Sequence, residues 1–238
     1  MLKENCMADY MDEKLLKIST DFAEQLNVYF SKKEEKPELF DAAEDMIRYL
    51  FFYACLKNNV KPYEIILEKA NCFNINIKKN PKLDILLLEG DVPKVAIEIK
   101  YHRTEGKTKP QKSWLGNLIY DFYRLQNLNL DVKKISIYVE SEETQNVYKD
   151  IQEFKDLMNL ECNKKMTLHN RAFWNDKEYE AVNEKNEILD KGIKKRMQGL
   201  QDSDPLPEKY CGFEEAEIHC FYKKEIAGGN KLRIFEIN

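Results

Sequence analysis

Three charged residues stand inside apolar runs. Asp84 interrupts Leu83, Ile85, Leu86, Leu87 and Leu88, while Glu98 and Lys100 interrupt Val95, Ala96, Ile97 and Ile99. Apolar residues on both parities predict strands covered on both faces. Charged side chains are almost never fully buried unless they are paired or bound to a metal. Glu98 and Lys100 are two residues apart, so on a strand they share one face. Taken singly, a Glu-x-Lys pair reads as a solvated face and Asp84 as a turn-adjacent acid. Together they offer a specific chemistry. Two carboxylates from adjacent strands suit Mg²⁺, which takes one or two protein carboxylates, keeps waters and binds phosphate oxygens. The backbone carbonyl of Ile99 offers a further oxygen. A neighbouring lysine can orient or deprotonate an attacking water, or stabilise charge building on phosphate oxygens. Phosphodiester hydrolysis is the reaction this set suits best.

The elements around these residues must place them. Residues 83–88 and 94–101 read as strands joined by the turn Glu89-Gly90-Asp91-Val92-Pro93. Residues 63–69 and the alternating stretch 73–77 read as strands too, which predicts an antiparallel meander. Ahead of it, residues 8–30 carry Leu15, Leu16, Ile18, Phe22, Leu26 and Tyr29 at helical spacing, and 31–37 form a charged break. A second helix is expected from Pro37 to about Lys57, acidic in its early turns and apolar nearly all round in its later half. Behind the motif, Ser113 is placed to cap a helix over 114–127, and residues 134–140 form a strong strand. A strand, a crossover helix and a strand predict a parallel pair of 94–101 with 134–140. A helix is expected over 143–159, a short strand over 165–168 and a charged helix over 178–200. A hairpin of 217–226 and 231–237 turns at Ala227-Gly228-Gly229-Asn230, joining the sheet edge or capping it. The expected fold class is α/β, a mixed central sheet flanked by helices. The expected organisation is a helical addition over 1–36, a core over 37–159, and a helical segment with a C-terminal hairpin over 160–238. The best boundary candidate is 201–208.

The order Pro81, Asp84, thirteen intervening residues, then Glu98-Ile99-Lys100 resembles the signature of the PD-(D/E)XK nuclease superfamily. Lys82 and Leu83 separate the proline from the aspartate, a spacing that varies in that superfamily. Asp121-Phe122-Tyr123-Arg124-Leu125 is similar to an Asp-x-x-Arg-Leu pattern in several of its prokaryotic branches. The resemblance covers about residues 37–140 and implies a restriction-endonuclease-like core. It implies metal binding by Asp84, Glu98 and the Ile99 carbonyl, with Lys100 serving the water. It further implies Mg²⁺ as cofactor, with Mn²⁺ as substitute, and DNA as the nucleic-acid partner. A restriction or defence role follows more readily than repair. Members that cut both strands are commonly homodimers, although no dimer surface is legible here. Many members add a glutamate from the helix before the sheet. Glu44 is the candidate, an ordinary exposed helix acid is the competing reading, and Glu68 is the rival position. Asp121 and Arg124, three apart, read as a helix-surface ion pair. Arg103, Lys107, Lys109 and Lys112 follow the motif and would line one rim, or simply be a solvated loop.

Composition limits the alternatives. The chain has 238 residues, 38 basic and 42 acidic, for a formal charge of −4, so no polybasic tail announces nucleic acid. A local basic face would still suffice. The charge balance leaves open a second class, a catalytically inactive PD-(D/E)XK-fold module that binds nucleic acid or protein. Six cysteines without a C-x-x-C pair, and no apolar leader, predict free thiols in a reducing cytoplasm. The longest apolar run, 49–56, is far short of the roughly 20 residues a membrane span needs. His102, His169 and His219 show no metal spacing, and no phosphate-binding glycine loop occurs.

Overall fold

The computed structural model describes residues 2–36, 44–73, 82–102, 115–148, 152–169 and 215–238. Within them the chain is α/β, with a mixed seven-stranded sheet in the order β1-β2-β3-β4-β7-β6-β5. The strands are β1 Ile65–Lys69, β2 Leu83–Glu89, β3 Val92–His102, β4 Lys133–Glu140, β5 Lys165–His169, β6 Glu215–Ile226 and β7 Asn230–Ile237. The helices are α1 Leu2–Glu35, α2 Glu44–Lys57, α3 Leu115–Gln126, α4 Glu142–Tyr148 and α5 Gln152–Asn159.

Alternation along β3 sorts the core into two layers. Val95, Ile97 and Ile99 face α1 and α2, packing with Leu15, Ile18, Phe22 and Leu26 of α1 and Ile47, Phe51 and Ala54 of α2. Ala96 faces the other way, against Leu118, Phe122, Tyr123 and Leu125 of α3. Glu98, Lys100 and His102 share the parity of Ala96. Phe22 and Phe51 meet edge to face with centroids 5.3 Å apart, fixing α1 on α2.

The expected meander is present: β1 pairs antiparallel with β2, and β2 with β3. The turn between β2 and β3 is the two residues Gly90-Asp91, since Glu89 pairs with Val92, and Gly90 takes φ of +61°. A two-residue hairpin needs that left-handed backbone, which glycine adopts without strain. Parallel pairing of β3 with β4 holds from Val95↔Lys133 to His102↔Glu140, the two strands joined through α3. The C-terminal hairpin joins the sheet rather than capping it, because β7 pairs with β4 and β6 carries β5.

Several local expectations change. The charged stretch 31–37 is not a break up to Glu35: α1 continues, with Lys32 and Lys33 in its last turn, where cations complement the helix dipole. Tyr49 and Tyr53 are exposed, so α2 keeps a solvent-facing stripe instead of being buried nearly all round. Tyr63 belongs to a 3₁₀ turn, Pro62–Glu64, ahead of β1. The single helix expected over 143–159 is described as α4 and α5. Phe73 forms one antiparallel bridge with Leu128. The strand expected over 74–77, Pro37, Pro81, Ser113, the basic loop 103–112 and the helix 178–200 lie outside the described residues. No helix among the described residues is long and apolar enough to cross a membrane. Cys55, Cys72, Cys162 and Cys220 are free thiols.

Candidate active site

The site begins where two paired strands part. The β2–β3 ladder reaches Ile85↔Ile97 on its way toward the N-terminal end of β2. Beyond that pair, the Ile99 N–H donates to Asp84 Oδ2 at 2.8 Å instead of to a β2 carbonyl. A side-chain carboxylate thus closes the ladder, which gives Asp84 a structural reason to stand in an apolar strand. It also brings Asp84 beside Glu98 and Lys100 on the α3-facing side of the sheet.

Two helices supply the remaining charge. Glu44 opens the described part of α2, where the helix dipole favours an acid. Arg48 lies one turn on, at i+4, so both side chains leave the same face. Lys100 Nζ sits 3.3 Å from Glu44 Oε2 and 3.5 Å from Asp121 Oδ2. Arg48 Nη2 lies 3.0 Å from Asp84 Oδ1 and 3.2 Å from Glu44 Oε1, and its Nη1 lies 2.9 Å from Asp45 Oδ1. From α3, Arg124 brackets Glu98, with Nη2 3.0 Å from Oε1 and Nη1 3.3 Å from Oε2. Arg124 also lies 3.4 Å from Asp121 Oδ1, donates to the Lys82 carbonyl, and stacks 4.8 Å from the Phe73 ring centroid.

All four expected side chains, Asp84, Glu98, Lys100 and Glu44, therefore converge. Glu68 does not join them: it pairs with Lys82 at 2.7 Å on the exposed side. Asp121 and Arg124 are not the plain helix-surface pair their i, i+3 spacing suggests. Helix α3 turns them onto the sheet, where Asp121 is buried and completes the cage around Lys100. Arg48 joins the cluster as well, although in sequence it sits within the apolar half of the expected second helix. Its signal was there: a lone cation amid Met46, Ile47, Tyr49 and Leu50, one turn from the candidate glutamate.

The electrostatics are those of an under-neutralised pocket. Inside the pocket, four carboxylates (Glu44, Asp84, Glu98, Asp121) face three cations (Arg48, Lys100, Arg124), while Asp45, which also pairs with Arg48, lies outside it and is exposed. Burial pushes Glu98 well above the usual carboxylate range. Arg124 opposes that, while Asp121 and Asp84 add to it. Burial also raises Asp121, against the pull of Lys100 and Arg124. Lys100 moves up as well, driven first by Asp121 and then by Glu44 and Asp84, with desolvation opposing. Lys100 is therefore an ammonium at neutral pH, able to orient and stabilise but not to accept a proton. Glu98 Oε1 and Asp121 Oδ2 are buried without a hydrogen bond, although each has a cationic nitrogen within ion-pair range.

No family model, no curated protein and no solved structure matches the chain. Among the described residues, no three His, Cys, Asp or Glu side chains gather so as to hold a metal ion by themselves. The donor types still fit Mg²⁺, which needs only one or two protein carboxylates and completes its shell with water and phosphate. The pocket's excess of carboxylates over cations fits an added cation too.

Proposed function

We propose that the chain is a metal-dependent nuclease of the PD-(D/E)XK kind, with a restriction-endonuclease-like core, that hydrolyses DNA phosphodiesters using Mg²⁺ or, in its place, Mn²⁺. The observation that carries this reading is the convergence of Asp84, Glu98, Lys100 and Glu44 where β2 and β3 part. Asp84, Glu98 and the Ile99 carbonyl would hold the ion. That carbonyl points to the same strand edge as the Ile99 N–H, toward β2 and the gap, as both groups of a strand residue do. When bound, the ion lowers the pKa of a coordinated water and polarises the phosphate. Lys100, kept protonated by Asp121 and Glu44, stabilises charge on the non-bridging phosphate oxygens and orients the water. Arg124 fixes the rotamer of Glu98 from α3. Buried free thiols agree with a cytoplasmic setting, and a two-fold dimer would serve a double-strand cut.

Plasmid cleavage in Mg²⁺ tests the reading, with EDTA, Asp84→Ala and Lys100→Ala as controls. Cleavage that EDTA and both substitutions abolish is the expected result. Two substituted proteins that cut as well as the parent would remove the site assignment.

One observation favours a second reading, a non-catalytic module that binds nucleic acid or protein. Asp84 and Glu98 each already face a guanidinium, so the carboxylates are partly neutralised without metal. Titration with Mn²⁺ separates the two: saturable binding that Asp84→Ala removes supports the nuclease, and no binding at millimolar ion supports the module.

A further inference from the structure

The two arginines of the site are held very differently. Arg124 is locked: it brackets Glu98 with both terminal nitrogens, donates to the Lys82 carbonyl and lies against the Phe73 ring. Its side chain is 12% exposed and its partner Glu98 only 2%. Arg48 is held at the rim. Its side chain is 25% exposed, and one of its three carboxylate partners, Asp45, is 87% exposed. Its Nε is buried without a hydrogen bond, so its present position does not satisfy it fully. Its contact with Asp84 runs through Nη2 alone, to Oδ1, while Oδ2 of the same carboxylate is taken by the Ile99 N–H. Oδ1 is therefore the oxygen of Asp84 that an incoming cation would use, and Arg48 is what stands on it.

We propose that Arg48 is the resident counter-cation of Asp84, competing with the divalent ion for Asp84 Oδ1 and yielding that oxygen when the ion binds. The inference rests on the reading of Asp84 and Glu98 as metal ligands. Two features make the exchange feasible. Glu44 and Asp45, on Arg48's own helix, lie 3.2 and 2.9 Å from its terminal nitrogens, so a guanidinium that leaves Asp84 keeps two carboxylate partners. The cluster holds four carboxylates against three cations, so it can take a divalent ion without expelling Arg48 from the pocket altogether. Before metal arrives, Arg48 faces Asp84 and Arg124 faces Glu98, so each carboxylate has its own cation. The cost of that pairing is weakened metal affinity.

The test is Mn²⁺ titration of the full chain, followed by the loss of the free-ion electron paramagnetic resonance signal, so it needs no catalysis. Arg48→Met keeps an aliphatic stem and removes the charged guanidinium with its hydrogen-bond donors; Arg48→Gln, which keeps an amide donor without the charge, is the second variant should that one fold poorly. The charge-free variant is expected to bind Mn²⁺ about tenfold more tightly than the parent, the scale of removing one unit charge at close range to a partly solvated site. Arg48→Lys, which keeps a competing cation, should stay near the parent. Asp84→Ala should abolish binding whichever residue occupies position 48. Equal or weaker binding by a folded, charge-free variant, with the parent still binding, would overturn the competition and leave the metal site standing. No Mn²⁺ binding by any of these proteins would overturn both.

Discussion

Two buried ion clusters lie on the α3-facing side of the same sheet, and they are built on opposite terms. On β4 and β7, Glu140 and Arg233 pair one to one, both buried, with Arg233 Nε donating to the Met158 carbonyl at 3.1 Å and Glu140 Oε2 left without a hydrogen bond. At the β2–β3 gap, four carboxylates share three cations. Burial pushes Glu140 up, and its neighbours, Arg233 first, all pull back. Burial also pushes Glu98 up, but there two neighbouring carboxylates add to the push. The pair balances one charge against one. The cluster carries more carboxylates than cations, and on the metal-site reading that imbalance is what an added cation would offset.

The largest effect should come from breaking the Glu140–Arg233 pair. Arg233→Ala leaves Glu140 buried without its guanidinium, with Lys231 and Tyr138 still favouring its charge, and removing one partner of such a pair costs about 3–5 kcal/mol. Urea unfolding of the two proteins would measure it. The comparison fails if Arg233→Ala unfolds at the same midpoint as the parent. A rim cation is different: Arg48→Met should change the midpoint far less, because water reaches Arg48 and Asp45.

Next in size is the loss of Lys100. On the nuclease reading, Lys100, held as an ammonium by Asp121 and Glu44, contributes electrostatic stabilisation, so Lys100→Ala should reduce DNA cleavage about 10²–10³-fold while the chain still unfolds cooperatively. Single-turnover cleavage alongside a thermal melt checks both halves. An alanine variant that melts normally and cuts normally would make this cluster as inert as the one at Arg233.

How much of this was readable beforehand follows from what kind of information each feature carries. β2, β3 and β4 were legible because period and breakers are local: Gly90 needs its left-handed backbone, and apolar residues of both parities mark a covered sheet. Asp84, Glu98 and Lys100 were legible because charge inside such strands has few structural excuses. Asp121 and Arg124 were misjudged, since i, i+3 spacing looks the same on a solvated helix face and on one packed against a sheet. Only the docking of α3 onto Ala96, Tyr138 and Phe235 decides between them. Arg48 was missed for a related reason: its partner Asp84 is 36 residues away and meets it only in the fold. Glu140 and Arg233, 93 residues apart, gave no local sign of pairing.

A smaller effect lies in the pH dependence of stability. Glu98 is raised in the folded chain by burial first, then by Asp121 and Asp84. Between its ordinary value of 4.5 and the raised one, the folded state holds a proton that the unfolded state has released. The Glu98 contribution to stability is thus fully present below the ordinary value and is lost as pH rises through the raised one. Glu98→Gln cannot titrate. Its stability relative to the parent should climb with pH across that window, at no more than about 1.4 kcal/mol per pH unit, the limit for one proton. Denaturation midpoints from pH 4 to 8 would show it. A constant difference over that range would mean that Glu98 is not held short of positive charge, and the contrast with Glu140 would lose its basis.

The smallest effect concerns the two glutamates that competed for the fourth place in the site. Glu44 touches Lys100 and Arg48, whereas Glu68 touches Lys82 on the exposed side, where water screens the pair and its contribution to stability is slight. Glu68→Ala should leave cleavage, Mn²⁺ affinity and the unfolding midpoint at parental values. Glu44→Ala should slow cleavage, because it removes one of the two carboxylates that hold Lys100 Nζ and one of the three that hold Arg48. Asp121 remains on Lys100, so the loss should be smaller than that of Lys100→Ala. The order of the three cleavage rates is the discriminating quantity: Glu68→Ala fastest, Glu44→Ala intermediate, Lys100→Ala slowest. An inversion of the two glutamates would move the fourth carboxylate from the start of α2 to the edge strand β1.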